Sequence, residues 1–323
     1  MRIIKSAFLA TTILSAGVKS ASAEVNVMAS IKPIHSLVSA VMDGAGTPSL
    51  IIEGAGSPHN YALKPSQAAA LQDADLVFWV GHDLEAFLEK AIDSVALNAR
   101  SIALSDAHGL TKIKFREGGS FDAHGHDEHN EHDEHDKHDD HDKHDDHGHE
   151  GYDPHVWLDP ENAKALIHEI EEALVAADPE NAATYERNAE AMMGKLDALI
   201  TEIDAELEPV KGKGYVVFHD AYQYFERRFG VSAVGSITVS PEILPGAKRV
   251  SELQEKVKSL DATCVFSEPQ FEPKLVTTIT ENTTARTGVL DPLGASIESG
   301  PGLYFTLIRT MAHSLKDCLL GKS

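Results

Sequence analysis

The sequence predicts an α/β protein of two lobes, each with a four-stranded, mostly parallel sheet flanked by helices, joined by one long connector helix. Short apolar segments alternate with longer amphipathic segments in both halves of the chain, which is typical of βαβ units. Between the halves, the stretch from Asp178 to Glu208 contains no Pro after Pro179. A helix over this stretch is about 45 Å long at 1.5 Å per residue.

The first half carries four predicted strands. Pro33 and Pro65 each fit the first turn of a helix, where a missing backbone N–H costs nothing. Strands are predicted at 25–31, 49–52, 76–80 and 101–104, and helices at 34–42, 65–74 and 85–92.

Two Asp-Pro pairs begin the helices in the middle of the chain. Asp159 is a suitable N-cap and Pro160 fits the first helical position, which predicts a helix to Ala177. Asp178-Pro179 begins the connector in the same way. A helix of this length spans a domain, so we expect it to be a rigid link between the lobes.

The second half repeats the alternation, and Gly230 is placed to end its first helix. Strands are predicted at 214–218, 231–237, 263–267 and 289–290, and helices at 222–229, 246–260, 274–286 and 303–320.

The N-terminus has the features of a secretory signal peptide. Arg2 and Lys5 precede an apolar run from Ser6 to Val18, and Ala21-Ser22-Ala23 fits a cleavage site. We therefore expect a soluble exported protein, periplasmic in a Gram-negative cell. The predicted organisation is a signal peptide (1–23), an N-terminal lobe (24–121 and 151–177), a His/Asp-rich loop (122–150), the connector (178–209) and a C-terminal lobe (210–323).

The net charge and the cysteine content argue against two kinds of site, one for nucleic acid and one in which cysteines hold zinc. The formal net charge of −23 argues against nucleic-acid binding. Cys264 and Cys318 are the two cysteines, and in an exported protein two cysteines pair more often than they stay free. Two cysteines alone make a poor zinc site.

The stretch from His124 to His149 combines ten His with eleven Asp or Glu. It has too few apolar residues to bury a core, so we expect it to be disordered without a ligand. Imidazole beside carboxylate suits zinc, copper or nickel, which predicts an auxiliary metal-binding loop. Eight of its histidines recur at every third residue: His126, His129, His132, His135, His138, His141, His144 and His147.

Four residues from separate loops are candidates for a tight metal site. In open α/β sheets, ligands bind beyond the carboxyl ends of the strands. His59, His219 and Asp291 follow predicted strands, and His155 lies in a turn before a helix. Three imidazoles and one carboxylate make a tetrahedral zinc shell. Glu268, also at a strand end, and water are the alternatives to Asp291 for the fourth position.

The other histidines outside the loop lack convergent partners, so we predict that they are not ligands. Three aspartates that flank the candidates are possible hydrogen-bond acceptors for the ligand imidazoles, with capping or turn roles as the alternative. The predicted non-ligands are His35, His82, His108, His168 and His313, and the three aspartates are Asp153, Asp159 and Asp220.

Six motifs together resemble the periplasmic zinc-binding component of bacterial zinc ABC transporters, the ZnuA type. The resemblance covers essentially the whole mature chain. The motifs are SPHNYALKPS around His59, LQDADLVFWVG from Leu71, DPHVWLDP from Asp153, GKGYVVFHDAYQYFE from Gly212, CVFSEPQF from Cys264, and LDPLG from Leu290.

The resemblance implies zinc held between two lobes and delivered to a membrane permease powered by an ATPase. It assigns metal ligation to His59, His155 and His219, and in related metal-binding proteins the Asp of LDPLG corresponds to a carboxylate ligand. It also implies a disulfide between Cys264 and Cys318.

Two positions depart from related patterns. Some zinc members of the family have Glu immediately before the first ligand His, whereas this chain has Pro58. Manganese-binding relatives have a carboxylate at the position of His219. An imidazole there favours zinc, because manganese prefers more oxygen ligands, but affinity alone leaves copper(II) and nickel open.

The sequence therefore predicts a monomeric, non-enzymatic protein that captures Zn²⁺ and passes it to a permease, with a periplasmic zinc chaperone as a further possible partner. A periplasmic zinc buffer or adhesin without a transport role is one alternative. A zinc hydrolase is the other, and it is disfavoured because the chain has no His-Glu-x-x-His helix and no obvious general base beside the ligands.

Overall fold

The structure is a computed structural model that describes residues 25–116, 151–238, 246–259 and 262–322. The signal peptide and the eight periodic histidines predicted from the sequence lie outside these residues. The predicted domain boundaries remain a prediction. No helix among the described residues is both long and apolar enough to cross a membrane.

The N-terminal lobe is built on a parallel sheet of four strands in the order β2-β1-β3-β4. Its elements, in chain order, are β1 Val27–Ala29, α1 Lys32–Val41, β2 Ser49–Leu50, α2 Pro65–Gln72, β3 Leu76–Trp79, α3 His82–Val95 and β4 Arg100–Ala103.

Two helices follow, α4 Pro160–Ala177 and the connector α5 Ala182–Leu207. The side chain of Asp159 accepts a hydrogen bond from the backbone N–H of Glu161, so it caps α4 as predicted. The connector has 26 residues and packs against α1, α4 and the last helix of the chain. It therefore contacts elements of both lobes.

The C-terminal lobe repeats the topology with the sheet order β6-β5-β7-β8, again entirely parallel. Its elements are β5 Tyr215–His219, α6 Gln223–Phe229, β6 Ala233–Thr238, α7 Ala247–Ser259, β7 Cys264–Ser267, α8 Lys274–Thr280, β8 Arg286–Val289 and α9 Leu303–Leu320. The predicted fold class is confirmed.

The largest difference from the prediction concerns α8, which we expected to continue to Arg286. It ends at Thr280, and Asn282 has a left-handed backbone with φ 60°. The segment is rich in Thr, which favours strands over helices. Arg286 instead begins β8, which pairs with β7.

One hydrophobic core runs through both lobes. It includes residues of α1, α4, α5 and α9 together with both faces of the N-terminal sheet and one face of the C-terminal sheet. A second, smaller core lies between the other face of the C-terminal sheet and helices α7 and α8. The predicted disulfide between Cys264 and Cys318 is present and ties β7 to α9.

Candidate metal centre

His219 is the only candidate histidine that lies within a strand. It is the last residue of β5 and its side chain is buried. Glu268 follows β7, the neighbouring strand, and its Oε1 accepts a hydrogen bond from Nδ1 of His219 at 2.7 Å. The sheet order thus brings together two residues that are 49 positions apart in the chain.

His155 is held by a local turn. Oδ1 of Asp153 accepts hydrogen bonds from both the backbone N–H and Nδ1 of His155, at 3.0 and 2.7 Å. The other oxygen of Asp153 accepts from Nε2 of Gln223, which belongs to the C-terminal lobe, at 3.0 Å. The imidazole of His155 is therefore oriented by a chain of contacts that crosses between the lobes.

His59 comes from the loop after β2. This loop is anchored by Gln67, whose amide contacts the hydroxyl of Tyr61 and the backbone carbonyl of Ile51. A Cβ atom at Gly56 would lie 2.9 Å from the Ile52 side chain and 3.0 Å from the Tyr61 ring, so any other residue there would force these side chains to shift. His59 is half-buried, whereas His155 and His219 are buried.

The structure brings these three imidazoles together. One ring nitrogen from each lies within 4.8 Å of the other two, and no second group of three potential His, Cys, Asp or Glu ligands meets this criterion in the described part of the chain. The Nε2 atoms of His155 and His219 are 3.4 Å apart. A tetrahedral zinc ion with Zn–N bonds of about 2.0–2.1 Å requires ligand nitrogens about 3.3–3.4 Å apart.

The hydrogen bonds define the tautomers of two of these rings. A carboxylate only accepts hydrogen bonds, so Nδ1 of His155 and Nδ1 of His219 carry the protons that Asp153 and Glu268 accept. In the neutral rings both Nε2 atoms then present lone pairs toward the same point. Two lone pairs at this distance repel each other, and a cation between them removes the repulsion.

The electrostatics favour a cation at the centre. Burial alone would lower the pKa of His219, but the surrounding carboxylates of Glu268, Asp153 and Asp220 together outweigh burial and raise the pKa. Burial raises the pKa of Asp153 to about 7, against the hydrogen bonds from His155 and Gln223. Trp157 lies beside the His155 ring and Phe271 beside the His219 ring, so apolar groups limit access of water.

Asp291, predicted as the fourth ligand, is not part of the three-imidazole group. Its carboxylate accepts hydrogen bonds from the backbone N–H groups of Leu293, Gly294 and Ala295. Glu268, the alternative, contacts Nδ1 of His219, on the side of the ring away from the ligand nitrogen. The carboxylate of Glu268 thus orients His219, a role that was assigned to neither candidate from the sequence.

The remaining predicted residues lie elsewhere in the fold. Asp159 caps α4 and pairs with Arg228, while Asp220 pairs with Arg116, so neither is an acceptor for a ligand imidazole. His35 contacts a backbone carbonyl and the Ser39 hydroxyl. Three other predicted non-ligands contact carboxylates outside the cleft: His82, His168 and His313. His108 is not part of the three-imidazole group either.

Sequence reasoning missed three residues that support the site from outside the imidazoles: Gln223, which donates to Asp153, Gln270, which donates to Asp291, and Arg116. The guanidinium of Arg116 contacts the buried carboxylates of Asp220 and Glu226 in the opposite lobe. Spacing in the sequence gives no signal for such contacts, because each joins side chains from different lobes or different strand ends.

Comparison with known proteins places this geometry in a family. A family described as "Zinc-uptake complex component A periplasmic" matches residues 27–318. The chain is 57% identical over 332 residues to the high-affinity zinc uptake system protein ZnuA of Brucella abortus (strain 2308), with 99% of each chain covered. It is 37% identical over 316 residues to the ZnuA protein of Yersinia pestis, with 98% of each covered.

Solved structures show the same architecture. A crystal structure of ZnuA has a TM-score of 0.73 at 25% identity, covering 92% of this chain and 99% of that one. The laminin-binding protein of Streptococcus agalactiae, described as bifunctional with adhesin and metal-transporting activity, has a TM-score of 0.70 at 25% identity, with 91% and 99% covered.

Proposed function

The chain belongs to the ZnuA family of periplasmic zinc-uptake components, and we propose that it captures Zn²⁺ between its lobes and delivers it to the permease of an ABC transporter. The observation that carries this proposal is the convergence of His59, His155 and His219, with two Nε2 atoms 3.4 Å apart. Zinc is the cargo of the protein, which binds and releases it without chemical change.

Neutral imidazoles suit zinc better than they suit manganese. The carboxylates of Asp153 and Glu268 strengthen this preference, because a negative charge behind each imidazole increases its basicity as a ligand. Both acceptors are buried, so solvent does not screen them. The family and this donor set together support Zn²⁺ as the transported ion.

Release of the ion involves movement of loops more than separation of the lobes. The connector α5 packs against α1 in one lobe and α9 in the other, and one core continues through both. Wide opening would expose this shared core. The loop carrying His59 contributes the least buried of the three ligands and is the natural element to move.

We assign the periplasm as the compartment because the relatives carry that description and residues 1–23 have the features of a cleaved signal peptide. Residues 124–149 then supply weaker zinc sites that raise the local zinc concentration, pass metal to the cleft or sense abundance. The permease is the direct partner, its ATPase is coupled through it, and a zinc chaperone is a further candidate. We expect the protein to act as a monomer.

Calorimetry on the exported protein tests the binding proposal. We expect one tight zinc site in the full chain and in a chain lacking residues 124–149, with weaker sites only in the full chain. Replacing the three ligand histidines by Ala should abolish the tight site, and His168→Ala, on an exposed face of α4, should leave it unchanged. Absence of a tight site after the deletion would contradict this division of roles.

Growth under zinc chelation tests transport against buffering or adhesion. A strain lacking the gene should grow poorly. The wild-type chain should restore growth, whereas the chain with the three ligand histidines replaced by Ala should not. Full growth without the gene would favour a buffer or an adhesin, a role already described for the structural neighbour from Streptococcus agalactiae.

We also propose that the site has no catalytic role. Glu268, a carboxylate that lines the site, is hydrogen-bonded to Nδ1 of His219 and is thereby engaged in orienting the ring. Zinc-dependent turnover of ester or peptide substrates that is lost in His219→Ala would contradict this assignment.

A further inference from the structure

The side chain of Asp291 is engaged on all sides by donors from its own lobe. Its Oδ1 accepts from the N–H groups of Leu293 and Gly294, at 3.1 and 2.9 Å, and its Oδ2 from Ala295 at 2.6 Å. Nε2 of Gln270 donates a fourth hydrogen bond to Oδ1 at 2.9 Å. To bind a metal ion, Asp291 would have to give up some of these contacts.

The charge of Asp291 also has a counter-ion. The buried ammonium of Lys32, from the opposite lobe, donates to the carbonyl oxygen of Ala295 at 3.1 Å, and also to that of Ile297. Burial lowers the pKa of Lys32, and the nearby carboxylate of Asp291 opposes this effect. Asp291 is thus compensated without a metal ion.

The contact with Asp291 fixes the orientation of the Gln270 amide. A carboxylate accepts hydrogen bonds but cannot donate them, so the NH₂ group of Gln270 must face Asp291. The amide oxygen Oε1 then points the other way. It is buried, accepts no hydrogen bond from any described residue, and Gln270 lines the same cavity as the three ligand histidines.

A buried acceptor without a donor costs about 1–3 kcal/mol, so such an atom calls for a partner. Glu268 also lines the cavity, but its carboxylate interacts with the Tyr222 hydroxyl and holds Nδ1 of His219. The two nitrogens of an imidazole point in nearly opposite directions, which places this carboxylate behind the ring. Gln270 has no such tie to a ligand ring.

We propose that the fourth ligand of Zn²⁺ is a water molecule that donates a hydrogen bond to Oε1 of Gln270, and that Asp291 orients this amide instead of binding the ion. The proposal rests on the proposed function. Three imidazoles leave one position of a tetrahedral zinc ion open, and a metal-bound water is a strong donor. The cavity lined by the imidazoles and Gln270 has a volume of about 10 Å³, the room of about one water-sized occupant, so its walls must move apart slightly to hold both the ion and the water.

This arrangement contributes to metal selectivity. Asp291 would otherwise add a charged oxygen ligand, which suits manganese. With Asp291 turned to Gln270 and the backbone, the protein offers the ion three nitrogens and no carboxylate. Gln270 is therefore a positioning residue for the metal-bound water, and Asp291 acts through it.

A double-mutant cycle on the full exported protein tests the proposal. Gln270→Leu removes the acceptor, and in Asp291→Asn the new amide can donate to Gln270, which lets Oε1 turn away from the ion. Each should weaken zinc binding about 10–100-fold. Because both changes remove one interaction, the double variant should bind zinc no more weakly than Gln270→Leu. Gln254→Leu, an exposed glutamine of the same lobe, is the matched control.

A crystal structure of the zinc-loaded wild-type protein gives the second readout. We expect an oxygen of water about 2.0–2.2 Å from zinc and within about 3.2 Å of Oε1. An Asp291 oxygen bonded to zinc, or additive losses in the double variant, would overturn the inference while leaving zinc capture intact. Absence of any tight site in the wild-type protein would instead overturn the proposed function.

The visible spectrum of the Co²⁺-loaded protein gives a third readout that does not depend on affinity. Asp291→Asn should keep the tetrahedral band pattern of the wild-type protein, because the first coordination shell is unchanged. A changed coordination geometry in Asp291→Asn, with no change in Gln270→Leu, would identify Asp291 as a direct ligand and contradict the proposal.

Discussion

Each lobe buries one glutamate beyond the end of its third strand, and the two glutamates do different things. Glu268 follows β7 directly and reaches the neighbouring strand, where it accepts a hydrogen bond from His219, one of the three proposed ligands. Glu85 comes six residues after β3 and turns back on its own loop, where it accepts from the backbone N–H groups of Val80 and Gly81.

The difference explains why two lobes of equal topology contribute unequally to the site. In the C-terminal lobe the last residue of a strand, His219, is itself a proposed ligand. In the N-terminal lobe the side chain of Glu85 instead accepts hydrogen bonds from the two residues that follow β3. Glu85 has non-helical backbone angles within α3. That lobe presents His59 and His155 from loops instead. Equivalent positions in repeated topology can therefore serve metal binding in one copy and loop structure in the other.

The largest expected effect is that of removing the proposed ligand of the C-terminal lobe. His219→Ala removes the one ligand that this lobe supplies from a strand, and we expect the zinc dissociation constant to rise several hundred-fold. Sharing about 10–16 kcal/mol of structural-zinc binding among four ligands gives about 2.5–4 kcal/mol each. Competition titration with a chelator measures the change, and His313→Ala, exposed on α9, is the control. A change of less than tenfold would remove His219 from the site.

The next prediction concerns Glu85 and pH. Burial raises its pKa to about 7, only partly offset by the Ser30 hydroxyl and the N–H groups of Gly81 and Val80. The folded state thus favours the protonated form, so the stability that this group contributes is present below about pH 4.5 and is lost as pH rises through about 7. A shift of this size corresponds to at most about 3 kcal/mol.

Glu85→Gln should remove this loss. We expect urea unfolding of the zinc-free variant to show a smaller decrease in the free energy of unfolding between pH 5 and pH 8 than the wild-type protein shows. Equal decreases in both proteins would mean that Glu85 does not titrate in this range.

A third prediction compares the same substitution, Glu to Gln, at the two buried glutamates. Glu268→Gln keeps the size of the side chain but removes the charge behind His219, so zinc affinity should fall about 10–100-fold. Glu85→Gln, the same change at the other buried glutamate, should leave zinc affinity within about twofold. If both variants lost affinity equally, the contrast between the lobes would be wrong, and isothermal titration decides between the outcomes.

The smallest expected effect concerns the contact across the lobes. Gln223→Leu removes the donor to Asp153, which holds His155, and we expect about a tenfold loss of zinc affinity, at the low end for such supporting contacts. The faster zinc release that this implies is measurable by stopped-flow transfer to a chelator. Unchanged release would show that the turn from Asp153 to His155 orients the imidazole unaided.

The sequence predicted much of this molecule because the relevant signals are local. The alternation of apolar and amphipathic segments predicted the strands, and the position of His59 and His219 after predicted strands made them candidate ligands. The convergence of the histidines followed from the rule that ligands bind at the carboxyl ends of parallel strands. The end of α8 was missed, since pairing of Arg286 with β7 overrides a helical pattern.

The supporting contacts could not be predicted in the same way. Glu268 reaches His219 because β7 lies beside β5 in the sheet, although β6 lies between them in the chain. Asp291 was correctly placed after a strand, but its carboxylate faces the following backbone N–H groups and Gln270. Which way a side chain turns from a strand end depends on donors nearby in space, and spacing in the sequence does not reveal them.

The disulfide between Cys264 and Cys318 anchors the strand that precedes Glu268. Cys264 begins β7, and Glu268 stands just beyond the other end of that short strand, so an oxidation event anchors the strand that carries the partner of His219. A compartment that fails to oxidise thiols would make a chain in which this strand is held by packing alone. We therefore expect the reduced protein to hold Glu268, and through it His219, less firmly.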